Sequence, residues 1–303
     1  MPTRQGSLRL FTYAGITVFL HWSWFLFAMY EINARRGGYS SVSWNVAEYL
    51  ALFLIVMLHE FGHALACRQV GGTANLIVLW PFGGVAYVNP PPRPGATLWS
   101  LAAGPLVNVA LFPVIFALRM VGNSAAQTVP DAHEFINQVL FINGVLLVFN
   151  MLPIYPLDGG QILRSLLWFV VGRARSLWVA TIVGFIGIPL FLLGALLARN
   201  GWLGLLGVFL LLNCWGGLQQ ARVLSQIAKL PRRTGFACPR CKTAPPLGAY
   251  WKCGHCGQSF DMFATGAICP HCSAQFNVTG CLDCGGARPI AEWTGSNLVP
   301  ANL

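Results

Sequence analysis

Three side chains suited to metal chemistry lie close together in an otherwise apolar segment, FLIVMLHEFGHALAC, from Phe53 to Cys67. His59 and His63 are four residues apart, so on a helix they project one turn apart from the same face. Both can then bind one zinc ion, with Glu60 beside it as the general base of a hydrolase. The alternative is a buried, hydrogen-bonded structural cluster of the same three residues.

A catalytic zinc ion usually has three protein ligands and one open position, so one ligand must come from elsewhere. The chain has only nine acidic residues, and Asp158 is the one that lies deep in the apolar half, directly before Gly159 and Gly160. Its segment ends at the same predicted membrane depth as the histidine segment. Asp158 is therefore the predicted third ligand, and the alternative is an N-cap of the next helix.

Several asparagines in the apolar segments are candidates for supporting roles. Asn150 precedes Pro153 and Pro156, which break its helix and free backbone groups where a cavity can be lined. Asn150 could donate to the oxyanion that forms during hydrolysis, and the alternative is a hydrogen bond between helices. Asn108 and Asn143 carry the same two interpretations with less weight on function.

Two separated motifs, in this order, resemble those of the site-2 protease family of intramembrane zinc metalloproteases. HEFGHALA supplies the first, and FNMLPIYPLDGG fits the family's second motif, N-x-x-P-x-x-x-L-D-G. Weaker similarities occur in three further segments, so that the resemblance covers about residues 8–222. These segments are GITVFLHW (Gly15 to Trp22), FGG (Phe82 to Gly84) and AAGPLVNV with Gly104, Pro105 and Asn108.

The resemblance implies the same site residues as the spacing argument. It makes His59, His63 and Asp158 the zinc ligands and Glu60 the general base. It also implies a bundle of about six helices whose active site faces the cytoplasmic leaflet, and substrates that are single-span membrane proteins.

The composition of the chain indicates that these residues are carried by membrane-spanning helices. The chain is 55% hydrophobic and 9% charged, with mean hydropathy +0.60, whereas soluble domains carry about 25% charged residues. We predict an all-α polytopic membrane protein with about six transmembrane helices, because a span needs about 20 apolar residues. The predicted spans are 10–31, 46–69, 97–121, 135–153, 177–197 and 201–221.

The distribution of basic residues predicts the orientation of these spans. The whole chain has a net charge of +10, and up to residue 233 its arginines and lysines lie between apolar runs, eleven on one side and four on the other. The positive-inside rule then places both termini in the cytoplasm, and we expect a multi-pass protein of the inner membrane of a prokaryotic cell. The four on the outer side are Arg35, Arg36, Arg119 and Arg199.

Two segments do not read as spans. Residues 73–95, TANLIVLWPFGGVAYVNPPPRPG, are rich in β-formers around two glycines, which predicts a small membrane-associated β segment followed by an extended linker. The segment PLDGGQILRSLLWFVVGRAR predicts a short amphipathic or re-entrant helix. An unwound substrate could add to an exposed edge of the β segment as a further strand.

Beyond residue 233 the sequence becomes polar and contains four C-x-x-C pairs. We predict two domains, a protease domain at 1–233 and a cytoplasmic tandem zinc-ribbon domain at 234–303, with the cysteine pairs joined in sequence order into two Cys₄ sites. Disulfides are the alternative, which a cytoplasmic location disfavours. The cysteines are Cys238, Cys241, Cys253, Cys256, Cys269, Cys272, Cys281 and Cys284.

Together these observations predict an intramembrane zinc metalloprotease that cleaves transmembrane substrates near the cytoplasmic membrane face. It would bind one catalytic and two structural Zn²⁺ ions, contact membrane lipid, and offer its ribbons to a cytoplasmic protein partner rather than to nucleic acid. One alternative is an inactive membrane scaffold that acts through the ribbons. Another, a metal transporter or sensor, lacks further intramembrane acids along a pathway.

Overall fold

The computed structural model describes residues 6–35, 37–81, 83–125 and 130–293. Predictions that involve Arg4, Arg36, Phe82 or residues 294–303 lie outside this part of the chain. The elements in chain order are β1 (Ser7–Tyr13), β2 (Ile16–His21), α1 (Ser23–Ala34), α2 (Val42–Gln69), β3 (Thr73–Trp80), β4 (Gly83–Asn89), α3 (Pro94–Ala125), α4 (Pro130–Asn150), α5 (Asp158–Val171), α6 (Arg173–Leu197), α7 (Gly201–Lys229), β5 (Trp251–Lys252), β6 (Ser259–Phe260), β7 (Val278–Gly280), β8 (Ala287–Pro289) and a 3₁₀ helix (Ile290–Trp293).

Five helices of the described residues, α2, α3, α4, α6 and α7, are long and apolar enough to cross a membrane. They correspond to the last five predicted spans. The first predicted span, 10–31, is wrong as a single helix. A turn at Ala14 and Gly15, both with positive φ, separates two strands, and α1 then adds only 12 residues. A helix of that length rises about 18 Å, well short of the hydrocarbon core of roughly 30 Å.

A four-stranded sheet in the order β1-β2-β3-β4 packs against α2. The β1–β2 and β3–β4 pairs are antiparallel, and β2 runs parallel to β3. Ile16, Val18 and Leu20 alternate inward along β2 and are buried in this core. The predicted β segment at 73–95 is confirmed as β3 and β4, whereas the partner strands β1 and β2 were not predicted.

The short helix predicted after the fourth span is also present, as α5. It starts at Asp158, and close packing holds its first turn against the chain that leads into it. A side chain at Gly159 would come within 2.3 Å of the Met151 carbonyl oxygen, and one at Gly160 within 2.5 Å of the Tyr155 nitrogen. These two glycines therefore fix where α5 begins, and with it the position of Asp158.

The chain divides into two compact units. The core unit comprises Met1–Gly172 and Val179–Gly217, and the ribbon unit comprises Arg173–Trp178 and Leu218–Leu303. The core unit contains the four-stranded sheet and most of the helical bundle. The ribbon unit contains the ends of α6 and α7 that adjoin the cysteine-rich segment, together with that segment.

The ribbon unit holds two Cys₄ clusters, but their pairing differs from the prediction. The outer cluster joins the first and fourth C-x-x-C pairs (Cys238, Cys241, Cys281, Cys284), and the inner cluster joins the second and third (Cys253, Cys256, Cys269, Cys272). The predicted pairing in sequence order is therefore wrong. The reason is a shared aromatic core, in which Trp251, Phe263 and Trp293 pack together and hold the inner loop inside the outer one.

Asp283, inside the fourth C-x-x-C pair, ties the outer cluster to the helix ends of the ribbon unit. Its carboxylate accepts hydrogen bonds from the Arg232 guanidinium at 2.6 and 3.0 Å. Its backbone carbonyl accepts a hydrogen bond from Arg173 at the start of α6. The outer knuckle is thus held by charge-assisted contacts as well as by its cysteines.

Candidate active site

The structure brings His59, His63 and Asp158 together. The two Nε2 atoms lie 3.1 Å apart, and the Asp158 Oδ2 atom lies 3.0 Å from His59 Nε2 and 3.3 Å from His63 Nε2. Ligands at about 2.0–2.2 Å from a tetrahedral zinc ion stand roughly 3.3 Å apart. The three atoms therefore surround one point at distances that suit a single zinc ion.

Hydrogen bonds on the far side of each imidazole orient these two ligands. His59 Nδ1 lies 2.6 Å from Asn108 Oδ1, and His63 Nδ1 lies 2.8 Å from the backbone oxygen of Ser100. A carbonyl oxygen only accepts, so each Nδ1 carries a proton, and in the neutral imidazole that a metal binds each Nε2 then keeps its lone pair. Both histidines therefore have the tautomer that metal binding through Nε2 requires.

Gly104 on α3 leaves the space that an ion would need. A side chain there would come within 2.3 Å of His63 Nε2 and 2.8 Å of His59 Nε2. The open face of the ligand set is thus next to a residue without a Cβ atom. The donor set, its spacing and this cradle all fit zinc.

Asp158 is part of this set and is not a helix cap. The N-cap position of α5 is occupied by Leu157, and no side chain caps that end of the helix. The Asp158 carboxylate is instead directed to the two histidines. Of the two interpretations that the sequence left open, the geometry therefore favours the ligand.

Glu60 is buried beside the histidines, and β4 holds its carboxylate. The backbone amide of Ala86 donates to Glu60 Oε2 at 2.8 Å. A Cβ atom at Gly84 would come within 2.2 Å of the Glu60 side chain, so the strand can approach this closely only with glycine there. The role of β4 in positioning Glu60 was not predicted, although the two glycines that follow Phe82 were noted.

A cavity of about 690 Å³ in the core unit opens onto these residues. Its walls include His59, Glu60, Asp158 and Asn150, together with residues 83–88 of β4. Within the described residues the Asn150 side chain has no hydrogen-bond partner, so its amide is available to a bound molecule. The alternative for Asn150, a hydrogen bond between helices, is therefore not found among the described residues, whereas such a bond joins Asn108 and Asn143.

The cysteine clusters have the dimensions of zinc sites. In the outer cluster the Cys238–Cys284 and Cys241–Cys281 sulfur distances are 3.8 and 3.7 Å, and in the inner cluster Cys253–Cys272 and Cys256–Cys269 are 3.6 and 3.7 Å apart. Tetrahedral Zn–S bonds of about 2.3 Å place sulfurs roughly 3.8 Å apart, whereas a disulfide bond is about 2.05 Å. The clusters therefore fit zinc, not disulfides.

Backbone amides in a knuckle favour the thiolate form that a metal binds. The amide of Cys256 donates to Cys253 Sγ, and it lowers the pKa of the Cys253 thiol to about 6, with a further contribution from the amide of His255. The turn that aims these amides ends at Gly257, whose φ is +74°. Gly285 has the same conformation, with φ +70°, at the outer cluster. The glycines predicted to free these turns do so.

Apolar helices that enclose a His–His–Asp set, with a glutamate next to it, define a polytopic membrane protein with the residue pattern of a zinc metallopeptidase. A family model described as peptidase family M50 matches residues 47–140 and 120–194. A solved structure described as the site-2 protease from Methanocaldococcus jannaschii is similar, with a TM-score of 0.52 and 30% identity over 70% of this chain and 95% of that chain. This chain belongs to peptidase family M50, the site-2 proteases.

Curated relatives agree with this assignment. A protein from Methanocaldococcus jannaschii named as a zinc metalloprotease is 31% identical over 72% of this chain and 61% of its own length. A Synechocystis protein, whose name also describes a zinc metalloprotease, is 29% identical over 74% of this chain and 62% of its own. The chain thus spans about three fifths of the length of the curated relatives it matches.

Proposed function

We propose that this chain is an intramembrane zinc metalloprotease that hydrolyses peptide bonds of transmembrane protein substrates near the cytoplasmic membrane face. The observation that carries the proposal is the placement of Glu60 beside three convergent ligand atoms, at the wall of a cavity. A site that only held a structural zinc ion would have no use for a buried carboxylate next to an open ligand position.

The proposed chemistry assigns a task to each side chain. His59, His63 and Asp158 hold the zinc ion, which when bound supplies Lewis-acid activation of water and of the substrate carbonyl. Glu60 takes a proton from the attacking water and delivers it to the leaving amine nitrogen. Asn150 donates a hydrogen bond from its side-chain amide to the carbonyl oxygen as negative charge develops there.

The substrate reaches this site in extended form. A peptide bond within a helix is already hydrogen-bonded and shielded, so a spanning segment must unwind locally before water can attack it. In the described residues β4 is an edge strand, and its residues 83–88 line the cavity beside Glu60. An unwound substrate segment adds to this edge as a strand, which gives affinity through the main chain with little sequence preference.

Proline substitution tests strand addition. Val88→Pro in β4 is expected to abolish cleavage while zinc content stays at the wild-type level. Leu10→Pro in β1, on the opposite edge of the sheet, is the matched control. It lies at the irregularity in the β1–β2 register, where proline is tolerated. Unchanged cleavage by Val88→Pro would exclude strand addition at this edge.

The remaining parts of the proposal concern the whole chain. We assign one catalytic and two structural zinc ions, a protease domain at 1–233 and a zinc-ribbon domain at 234–303. Both termini lie in the cytoplasm, and the membrane is the inner membrane of a prokaryotic cell. The β2–β3 pairing supports the proposed location of the N-terminus, because it places the N-terminal strands beside the connection between α2 and α3, which we assign to the cytoplasmic side. The ribbons bind a cytoplasmic protein partner.

One comparison separates the protease from an inactive zinc scaffold. The full chain and its Glu60→Gln variant are purified and incubated with a model single-span substrate, with zinc quantified in both. General acid–base catalysis contributes about 10²- to 10⁴-fold to a rate. The cleavage rate of Glu60→Gln should therefore fall by at least about 10²-fold, while the variant keeps three zinc ions. Equal cleavage would eliminate the proposed mechanism. Zinc without cleavage by either protein would favour the scaffold.

A further inference from the structure

A chain of buried amides links the zinc-ligand helix to two neighbouring helices. His59 on α2 contacts Asn108 on α3, whose Nδ2 donates to Oδ1 of Asn143 on α4 at 2.8 Å. The Asn143 Nδ2 donates in turn to the backbone oxygen of Asn108 at 2.9 Å. Both asparagines are 0% exposed, so water does not compete for these groups. We call these three bonds the amide relay.

The donor and the acceptor of every bond in the amide relay can be assigned by starting from the Asn108 backbone oxygen. The Asn108 backbone oxygen can only accept, so the Asn143 atom that faces it must be the NH₂ group. The Asn143 oxygen then faces the Asn108 side chain, which must present its own NH₂ group there. The Asn108 oxygen is left for His59 Nδ1, which must carry a proton. The relay thus leaves the Nε2 lone pair of His59 free.

The two histidines differ in how directly they are oriented. His63 Nδ1 faces a backbone oxygen, that of Ser100, which needs no further residue to define its role as acceptor. His59 Nδ1 faces a side-chain amide that could rotate by half a turn and present NH₂ instead. Among the described residues, the bonds to Asn143 are what prevents that rotation. The tautomer of His59 therefore depends on a residue that does not touch it.

We propose that Asn143 is a positioning residue, which holds Asn108, and through it His59, in the orientation that binds zinc through Nε2. This inference rests on the proposed zinc site of His59, His63 and Asp158. It explains why position 108 carries an amide although a carboxylate is the stronger acceptor. A carboxylate there would turn an oxygen toward the Asn143 oxygen, and rotation of Asn143 would only move the clash to the backbone carbonyl.

The primary variant is Asn143→Asp, which keeps the shape and the acceptor but removes the NH₂ donor that faces the Asn108 backbone oxygen. Loss of groups that orient a metal-binding histidine typically weakens metal affinity by about 10- to 100-fold. We expect that loss of affinity at the His59–His63–Asp158 site of the whole chain, residues 1–303, with both ribbon sites kept saturated with zinc. The measurement is chelator competition.

Asn45→Asp is the matched control. Asn45 on α2 is also buried, and its Nδ2 donates to a backbone oxygen of another segment, that of Arg35, at 2.9 Å. The same chemical change there should leave zinc affinity within about threefold of wild type. Equal weakening by both variants would indicate a general packing effect and would overturn the proposal. If Asn143→Asp does not accumulate, Asn143→Ala tests the same loss without a buried charge.

A double-variant cycle gives a readout that a purely structural role would not change. In a His59→Ala background, zinc is left to His63 and Asp158, so adding Asn143→Asp should not weaken it further. A further tenfold loss in that background would refute action through His59. If the wild-type chain binds no third zinc ion, the proposed zinc site fails, whereas wild-type binding that Asn143→Asp leaves unchanged refutes only the role of Asn143.

The tautomer itself can be observed. The chain has six histidines, so selective ¹⁵N-histidine labelling with a His59→Gln spectrum for assignment is practicable. In the zinc-loaded wild type, His59 should be bound through Nε2 and keep its proton on Nδ1, whereas without zinc the Asp158 carboxylate, 3.0 Å from Nε2, favours a proton there as well. In zinc-loaded Asn143→Asp, a second His59 population that is not bound through Nε2 should appear, while His63 stays unchanged. An unaltered His59 signal in that variant would contradict the proposal.

Discussion

The His–His–Asp site and the two Cys₄ clusters differ in what orients their candidate metal ligands. At the His–His–Asp site, three helices, two glycines and hydrogen bonds to Asn108 and Ser100 set the ligands in place. At the Cys₄ clusters, the ligands lie on short knuckles, joined by strands of two or three residues. The His–His–Asp site lies within a large apolar helix bundle that is packed independently of a metal. The Cys₄ clusters, in contrast, provide much of the structure of the ribbon unit.

Within one chain, folding can therefore require a metal in one region and be independent of a metal in another. The ribbon unit has a small aromatic core, and segments of this size usually need a metal or disulfides for stability. The α2–α3–α4 bundle is supported by helix packing, with close approach at Gly62, where a Cβ atom would come within 2.7 Å of the Ala103 carbonyl oxygen. Zinc should therefore stabilise the ribbon fold but only occupy the intramembrane site.

Zinc removal gives the largest expected effect. Structural zinc binding in small zinc domains is worth roughly 10–16 kcal/mol at pH 7, so chelation should unfold residues 238–284 while α2, α3 and α4 stay folded. Hydrogen exchange of the detergent-solubilised chain, with and without chelator, measures both regions in one sample. Retained protection in the ribbons after zinc loss would remove the contrast between the two sites.

Cysteine pairs provide the next test, because they distinguish nested clusters from clusters in sequence order. Cys238 and Cys253 belong to different clusters in the structure, so Cys238→Ser/Cys253→Ser should lose two zinc ions per chain. Cys238→Ser/Cys281→Ser removes two ligands of the same cluster and should lose only one. Pairing in sequence order predicts the opposite result. Zinc per chain, measured by elemental analysis of the purified variants, decides between them.

Candidate ligands that lie on one helix could be predicted from the sequence. Groupings that depend on contacts between distant segments were harder to predict. The spacing of His59 and His63 is a local property of one helix, and Asp158 stood out because acids are scarce. The cysteine pairing depends on how aromatic side chains pack, which spacing does not encode. The strands before α1 were missed because a run of apolar residues broken at Ala14 and Gly15 has the composition of a span.

Two glycines face different parts of the proposed site, Gly104 the proposed zinc ligands His59 and His63, and Gly84 the proposed base Glu60. Gly104→Ala would place a methyl group against both Nε2 atoms, and Gly84→Ala would place one against Glu60. Overpacking typically costs about 1–3 kcal/mol, which corresponds to roughly 5- to 150-fold. We expect Gly104→Ala to weaken zinc binding by that factor. Gly84→Ala should keep zinc and lower cleavage by a similar factor, as zinc analysis and a substrate assay of both proteins would show.

The separate roles of Gly104 and Gly84 would be contradicted if both variants had the same effect on zinc binding. If Gly84→Ala lost zinc as readily as Gly104→Ala, the ligands and the base would form one packed unit. Gly194→Ala is a suitable control, because a Cβ atom at that position has no neighbour within 4 Å among the described residues. It should change neither zinc content nor cleavage.

The smallest effect is expected at Asp261, a contact in the ribbon unit that does not involve zinc. Burial alone would raise the pKa of Asp261, but amide donors at Gly248, Ala264 and Phe263, together with Arg233, hold the pKa below its usual range. Arg233 Nη2 lies 2.7 Å from Asp261 Oδ2. Because the folded state has the lower pKa, this contribution to stability is complete above about pH 4 and is lost as the pH falls further.

Asp261→Asn keeps the Oδ1 acceptor for the amides of Phe263 and Ala264, but it replaces the charged Oδ2, which faces Arg233 and accepts from the Gly248 amide, by an NH₂ group. A partly exposed ion pair contributes about 0–1 kcal/mol and the lost Gly248 hydrogen bond about 1 kcal/mol, so the ribbon unit with zinc bound should melt roughly 5–10 °C lower. The difference from wild type should be constant between pH 5.5 and 7.5, since the carboxylate is ionised throughout that range. A large or pH-dependent difference in that range would mean that this contact, and not zinc alone, determines the ribbon fold.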